Sequence, residues 1–200
     1  MDWHQFLDPI FIIKTLGLIG VVAIVFAETG LFFGFFFPGD SLLFTAGILA
    51  SQDLISISLL LVLCFVASVA GDTVGYSFGK KTGPMIFKKE DSLFFHKKHI
   101  EKAKFFYEKH GKKTIIFARF IPIVRTFAPI VAGVGGMEYK TFIRYNIFGG
   151  LIWTNGMLLL GYLLGNIIPG IERYLTPIII IIIVISFIPA VIEFFNKKKI

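Results

Sequence analysis

The sequence predicts an all-α integral membrane protein: an inverted repeat with two opposed re-entrant helical hairpins inside a shell of about four transmembrane helices, plus a cytoplasmic amphipathic helix. Hydrophobic residues make up 56% of the 200 residues and the mean hydropathy is +0.80, which is outside the range of soluble domains. Two apolar stretches are each interrupted by proline and each carry charged residues. A lysine-rich loop separates them.

The first half of the chain is predicted to form a span, a hairpin and a second span. Residues 9–27 are typical of a membrane helix. Residues 28–50 are also apolar, but Pro38 and Gly39 interrupt them, and proline removes a backbone donor that a helix needs. The resulting pieces are too short to cross about 30 Å of hydrocarbon, so this stretch should enter the membrane and turn back. Residues 54–79 should then cross completely.

A basic loop follows at residues 80–113. It holds eleven lysines and four acidic residues, a net charge of +7 that equals the formal charge of the whole chain. Residues 95–110 place aromatic and aliphatic side chains on one face and lysines on the other, as in helices that lie on an anionic membrane surface. Positive loops of this kind lie in the cytoplasm, so we expect this loop and the C-terminus there. The aromatic face favours lipid over nucleic acid as the partner.

The second half repeats the pattern of the first. Residues 117–136 are apolar, and Pro122 and Pro129 are expected to break them into short helical pieces. Broken backbone at membrane depth is tolerated where protein covers it or where it lines a wet cavity, so the remaining helices should wrap this second hairpin. Residues 141–165 should cross the membrane, and residues 175–195 should form the last span.

Matching glycine motifs indicate that the two halves are a diverged internal repeat. Each hairpin ends on Ala-Gly and each following span ends on G-Y-x-x-G, and the proline-to-glycine distances are 37 and 39 residues. These motifs are Ala46-Gly47, Gly75-Tyr76-x-x-Gly79, Ala132-Gly133 and Gly161-Tyr162-x-x-Gly165. We interpret residues 1–200 as one membrane domain, with a first repeat at about 9–79 and a second at about 114–165. Coincidence is the alternative, and glycines four residues apart could equally form a homo-oligomer interface.

Charged residues within the apolar stretches are the candidate site. The second stretch holds Arg119 and Arg125, the first holds Glu28 and Asp40, and Asp72 in the following span is a secondary candidate. An arginine at the bilayer centre costs roughly 2.5–3.5 kcal/mol and stays charged, so it needs anionic company. The arginines therefore predict an anion site, unless they only neutralise the acids of the other half. Asp72 could join the site, cap a helix or pair with an arginine.

Taken together, two signatures resemble the DedA family of membrane proteins, also described as VTT-domain or SNARE-associated proteins. The first, E-x-G-x7-P-G-[DE], falls on Glu28, Gly30, Pro38, Gly39 and Asp40. The second, F-x-R-F-x-P-x-x-R-x-x-x-P-x-x-A-G, falls on Phe117, Arg119, Phe120, Pro122, Arg125, Pro129, Ala132 and Gly133. The resemblance covers about residues 9–195. It implies two hairpins that meet head to head and a role in moving lipid between membrane leaflets.

The resemblance also implies a substrate and site residues. Bacterial members are implicated in recycling undecaprenyl phosphate, in proton-dependent envelope maintenance and in resistance to cationic peptides. The family's essential acids fall on Glu28 and Asp40, and its essential arginines on Arg119 and Arg125. We therefore predict a flippase of undecaprenyl phosphate or a related anionic phospholipid in the bacterial cytoplasmic membrane.

The chemistry of these side chains suits that prediction. Guanidinium groups stay charged and fork onto phosphate oxygens, so Arg119 and Arg125 would hold the headgroup. Carboxyl groups in a site of low dielectric can exchange protons, so Glu28 and Asp40 would link transport to the proton-motive force. The alternative is a proton-coupled antiporter for small ions or drugs with indirect envelope effects, and a membrane scaffold is a weaker third hypothesis.

The sequence does not favour enzymatic activity, metal binding or cofactor binding. It contains no P-loop, nucleophile elbow or dinucleotide fingerprint. The four histidines, which are His4, His96, His99 and His110, fall on the polar start and the basic loop, away from the charged apolar stretches. Cys64 lies in an apolar run and is expected only to pack.

Overall fold

A computed structural model describes residues 9–31, 38–88, 113–168, 170–174, 177–178, 180–182 and 184. The regular secondary structure in these residues is helical. Several predictions lie outside them, namely the surface helix at 95–110, the four histidines and most of the last span at 175–195.

Seven α-helices account for most of the described chain. They are α1 (Pro9–Gly30), α2 (Gly39–Ser51), α3 (Ile57–Lys88), α4 (Thr114–Ala118), α5 (Pro122–Val134), α6 (Tyr139–Gly150) and α7 (Gly156–Ile167). A π-helical turn, Leu151–Asn155, joins α6 to α7 without a break, and a 3-10 turn, Ile171–Tyr174, follows.

Two of the described helices are long and apolar enough to cross a membrane, Ile57–Gly83 and Tyr139–Ile167. They match the predicted spans at 54–79 and 141–165. The helix α1 is interrupted at Gly17, where a φ of 58° places the backbone in a region that glycine reaches without a steric penalty. The sequence predicted a shell of about four spans. Three of them, which are α1 and the two long helices, fall within the described residues.

The short helix α2 lies in the interior of the molecule. Its residues from 41 to 50 are all buried, which fits a helix that is apolar on every side. Thirteen residues give a helix about 20 Å long, which is shorter than the hydrocarbon core. The helix begins directly after Pro38, where the sequence predicted a break. The Pro38 carbonyl accepts a hydrogen bond from the Leu42 N–H. Glu28, predicted at the start of the hairpin, instead lies in the last turn of α1.

The helix α5 corrects one predicted break. It begins at Pro122 as expected, because proline suits the first helical position. The break expected at Pro129 is wrong, since α5 continues through this residue to Val134. Proline removes a single backbone hydrogen bond, and membrane helices tolerate that loss where a neighbouring helix supports them. Here α3 gives that support, with Gly75 and Gly79 facing Pro129 and its neighbour Ile130.

Glycines bring the two short helices against the two spans in a reciprocal arrangement. The helix α2 packs against α7, and α5 packs against α3. At four positions a Cβ atom would collide with backbone of the opposite helix: Gly47 with Leu158, Gly161 with Phe44, Gly133 with Tyr76, and Gly79 with Ile130. The glycines of these motifs therefore let the backbones of opposite helices approach closely.

Candidate functional site

The side chain of Arg125 joins the two acids of the first apolar stretch. Its Nη1 donates a hydrogen bond of 2.9 Å to Asp40 Oδ1, and its Nη2 donates to Glu28 Oε1. The Arg125 and Glu28 side chains are each 1% exposed, whereas Asp40 is 18% exposed. One guanidinium group thus ties α5 to both α1 and α2.

Local sequence places these acids at helix ends. Asp40 lies in the first turn of α2, where the partial positive charge of the helix N-terminus favours a carboxylate. Gly39 faces the Glu28 carboxylate so closely that a Cβ atom on residue 39 would overlap it. The Pro38-Gly39 break therefore starts α2 and also makes room for Glu28.

Arg119 forms a second buried cluster from the turn between α4 and α5. Its Nη2 donates a 2.5 Å hydrogen bond to Asp72 Oδ2 on α3, and it also donates to Asn146 Oδ1 on α6. The Asn146 amide is oriented in turn, because its Nδ2 donates to the Val69 carbonyl at 3.1 Å. The Arg119 side chain passes against Gly149, where a Cβ would lie 2.9 Å from its Cδ. Of the alternatives open for Asp72, the structure shows pairing with an arginine.

Trp153 lies between the two clusters. Its indole N–H donates to Asp40 Oδ1 at 2.7 Å. The Arg125 Cζ is 4.4 Å from the centroid of the indole ring and the Arg119 Cζ is 5.9 Å from it, both within the range of a cation–π contact. The tryptophan thus contacts both arginines and one acid.

Several buried polar atoms of the site have no hydrogen-bond partner within the described part of the chain. They include Nε of Arg119 and Arg125, Nη1 of Arg119, and Oδ1 of Asp72. Buried donors are satisfied in the great majority of cases, so N–H groups on two neighbouring guanidiniums that lack an acceptor among the described residues need an explanation. Both arginines keep donors that acceptor oxygens could occupy.

The charges of the site do not balance. Three carboxylates, those of Glu28, Asp40 and Asp72, face two guanidinium groups, so the fully ionised site would carry one excess negative charge. An anion that enters this site therefore either displaces a carboxylate from its arginine or arrives together with a proton.

The structure gathers all five charged residues that the sequence singled out: Glu28, Asp40, Asp72, Arg119 and Arg125. Sequence reasoning missed Asn146 and Trp153. Both gave a signal, since an amide inside an apolar span needs a partner, and tryptophan in a span is enriched at the membrane interface rather than mid-helix.

Comparison with known proteins gives a consistent result. Residues 37–163 match the model of the VTT domain. The chain is 46% identical to Protein DedA of Escherichia coli strain K12 over 178 residues, which cover 88% of this chain and 81% of that protein. No solved structure matches.

Two further relatives are named as membrane proteins. An uncharacterised membrane protein of Mycobacterium leprae is 43% identical over 192 residues, covering 93% of this chain and 86% of that protein. The inner membrane protein YqjA of Escherichia coli strain K12 is 30% identical over 166 residues, covering 82% and 76%. With the VTT-domain match and the paired charges of its two proline-broken stretches, this chain belongs to the DedA family of membrane proteins.

Proposed function

We propose that this protein carries the phosphate headgroup of undecaprenyl phosphate, or of a related anionic phospholipid, across the bacterial cytoplasmic membrane without altering it chemically. The observation that carries the proposal is the set of buried N–H groups on Arg119 and Arg125 that find no acceptor among the described residues. Phosphate oxygens are acceptors that suit forked guanidinium donors, and such charge-assisted hydrogen bonds are stronger than neutral ones.

The proposed carrier is a multi-pass inverted repeat with two re-entrant hairpins, and its basic loop 80–113 and C-terminus lie in the cytoplasm. The short buried helices α2 and α5 would be the inner arms of the hairpins. Their packing supports a repeat, because each lies against the span of the other half through matching glycines such as Gly47 and Gly133. Arg125, which holds Glu28 and Asp40, would join the hairpins where they meet.

Headgroup binding would be an exchange of partners on the arginines. The described state holds Arg125 on two carboxylates, so an arriving phosphate competes with Glu28 and Asp40. Because the carboxylates already outnumber the arginines, a further anion is accommodated more easily when one acid takes up a proton. Protonation of Glu28 or Asp40 would free Arg125 and couple lipid movement to protons. The membrane potential supplies about 2.3 kcal/mol per charge per 100 mV, enough to bias such a cycle.

The first test measures how much undecaprenyl phosphate is exposed on each leaflet of reconstituted vesicles. Wild type should equilibrate the headgroup between leaflets, and Arg119→Ala and Arg125→Ala should each slow this at least about tenfold, since each removes a charge-assisted contact. Arg144→Ala, at an exposed arginine of α6, is the matched control and should behave as wild type.

The same vesicles discriminate the alternative. If wild type moves no lipid but dissipates a pH gradient through Glu28 and Asp40, the protein is a proton-coupled antiporter. The arginines would then be counter-charges for these acids.

A second test addresses the proton. In wild type, headgroup movement should slow as the pH rises, because the proton that frees Arg125 becomes scarce. Glu28→Gln and Asp40→Asn carry permanently neutral side chains. The variant at the acid that takes up the proton should therefore move the headgroup at a rate that no longer depends on pH. The measurement is the rate of leaflet exchange across a pH series, with Asp53→Asn, on an exposed turn, as the control. Unchanged pH dependence in both variants would rule out coupling through these acids.

A further inference from the structure

We propose that Trp153 is a positioning residue of the headgroup site: its indole N–H keeps Asp40 hydrogen-bonded when Arg125 leaves Asp40 for an anion. This inference rests on the proposed anion transport and names the side chain that makes the exchange of partners possible.

The geometry at Asp40 is the first step. One oxygen, Oδ1, accepts hydrogen bonds from both Arg125 Nη1, at 2.9 Å, and Trp153 Nε1, at 2.7 Å. If the guanidinium group turns towards an anion, this oxygen loses one donor and keeps the other. Since each hydrogen bond that a carboxylate keeps inside a protein lowers its free energy, the indole N–H lowers the free energy needed to release Arg125.

The second step is that Trp153 is held independently of Arg125. It is 2% exposed and lies in the π-helical turn Leu151–Asn155, inside the long helix that α6 and α7 form. Single π-helical turns within α-helices are rare and occur frequently at functional sites. The next residue is anchored to α3, because its hydroxyl donates to that of Ser68 at 3.2 Å. The indole therefore stays in place while the guanidinium exchanges partners.

The third step is the contact of the ring with both arginines. The Arg125 Cζ lies 4.4 Å from the ring centroid and the Arg119 Cζ lies 5.9 Å from it. The π face attracts each cation without using its N–H groups, which remain available to acceptor oxygens. Trp153 thus holds the two guanidiniums beside a common surface.

The test uses Trp153→Phe, which keeps an aromatic ring and removes the N–H. Binding of farnesyl phosphate to the purified protein is measured by calorimetry, with farnesol as the uncharged control. The affinity for farnesyl phosphate should fall about tenfold, the effect of one hydrogen bond to a charged group. Trp3→Phe is the same substitution at the chain's other tryptophan and should leave the affinity unchanged.

A double-mutant cycle separates this role from simple packing. In an Asp40→Ala background the Asp40 acceptor is gone, so Trp153→Phe should change the affinity less than about twofold. A tenfold loss that persists in this background, or a Trp153→Phe protein that binds like wild type, would overturn the inference alone. Wild type that binds farnesyl phosphate no better than farnesol would overturn the anion site and this inference with it.

A spectroscopic measurement does not depend on the folding of the Asp40 variant. In the Trp3→Phe protein, Trp153 is the sole tryptophan. Farnesyl phosphate should change its emission, because the Arg125 guanidinium turns from Asp40 to the phosphate and so changes the charge beside the ring, while the hydrogen bond from the indole to Asp40 remains. Farnesol should cause no change. An emission spectrum that stays constant at saturating farnesyl phosphate contradicts the proposed role.

Discussion

Replacing Arg125 by methionine is expected to lower the free energy of unfolding by about 3–5 kcal/mol, because the change leaves buried carboxylates without their counter-charge. Glu28 and Asp40 both bond to this guanidinium, and Glu28 is 1% exposed. The measurement is unfolding of the purified protein in detergent. Arg144→Met, at an exposed position, should change stability little, and an equal loss there would contradict the explanation.

Neutralising the whole cluster separates structural pairing from ligand binding. The triple variant Arg125→Met, Glu28→Gln, Asp40→Asn leaves no uncompensated charge in this cluster. Removal of all partners together avoids the unpaired buried charge that makes removal of one partner so destabilising. We expect the triple variant to recover most of the stability that Arg125→Met loses and to move no lipid in vesicles. Recovery of lipid movement together with stability would show that Arg125 is only a counter-charge.

Gly133→Val is expected to destabilise the protein by about 3 kcal/mol or to prevent its assembly, since overpacking a close helix contact forces backbone to move. A Cβ atom on residue 133 would meet the Tyr76 carbonyl and the Lys80 backbone nitrogen of α3. Gly156→Val is the matched control, because this glycine is also helical and a Cβ atom there meets nothing within 4 Å.

The reciprocal packing predicts the same effect for a second glycine, Gly47. Gly47 meets the backbone of Leu158 on α7 as Gly133 meets that of Tyr76 on α3. Gly47→Val should therefore cost about as much as Gly133→Val, in the range of an overpacked core. If Gly47→Val or Gly133→Val lowers the free energy of unfolding no more than Gly156→Val does, the packing of that short helix on the opposite span is contradicted.

Much of the fold follows from local sequence. Continuous hydropathy predicts the spans at 54–79 and 141–165, because a helix that satisfies its own backbone is the stable form of an apolar segment in lipid. Pro38 and Pro122 mark where α2 and α5 begin, since each constrains its own φ and lacks an N–H. The break predicted at Pro129 was wrong, because packing on α3 offsets the single hydrogen bond that this proline removes. Local sequence carries no information on that contact.

The chemistry of the site was also predictable in kind. Charged side chains in apolar surroundings need opposite charges, so the sequence alone determined that Arg119 and Arg125 require anionic company, which it left open between a bound anion and the acids of the other half. Only the tertiary structure decided the partners: Arg125 takes Glu28 and Asp40, which are 97 and 85 residues away, and Arg119 takes Asp72, 47 residues away.

The contribution of α6 and its π-helical turn was likewise decided by tertiary structure. Asn146 and Trp153 complete the site from a membrane span. Both residues are unusual inside an apolar helix, but the sequence does not indicate which residues they contact. Periodicity within a helix reports which faces are apolar, but it carries no information on which distant segment each face meets. Charge and hydropathy act locally and so are readable in the chain, whereas pairing between hairpins and spans depends on how the helices pack around one another.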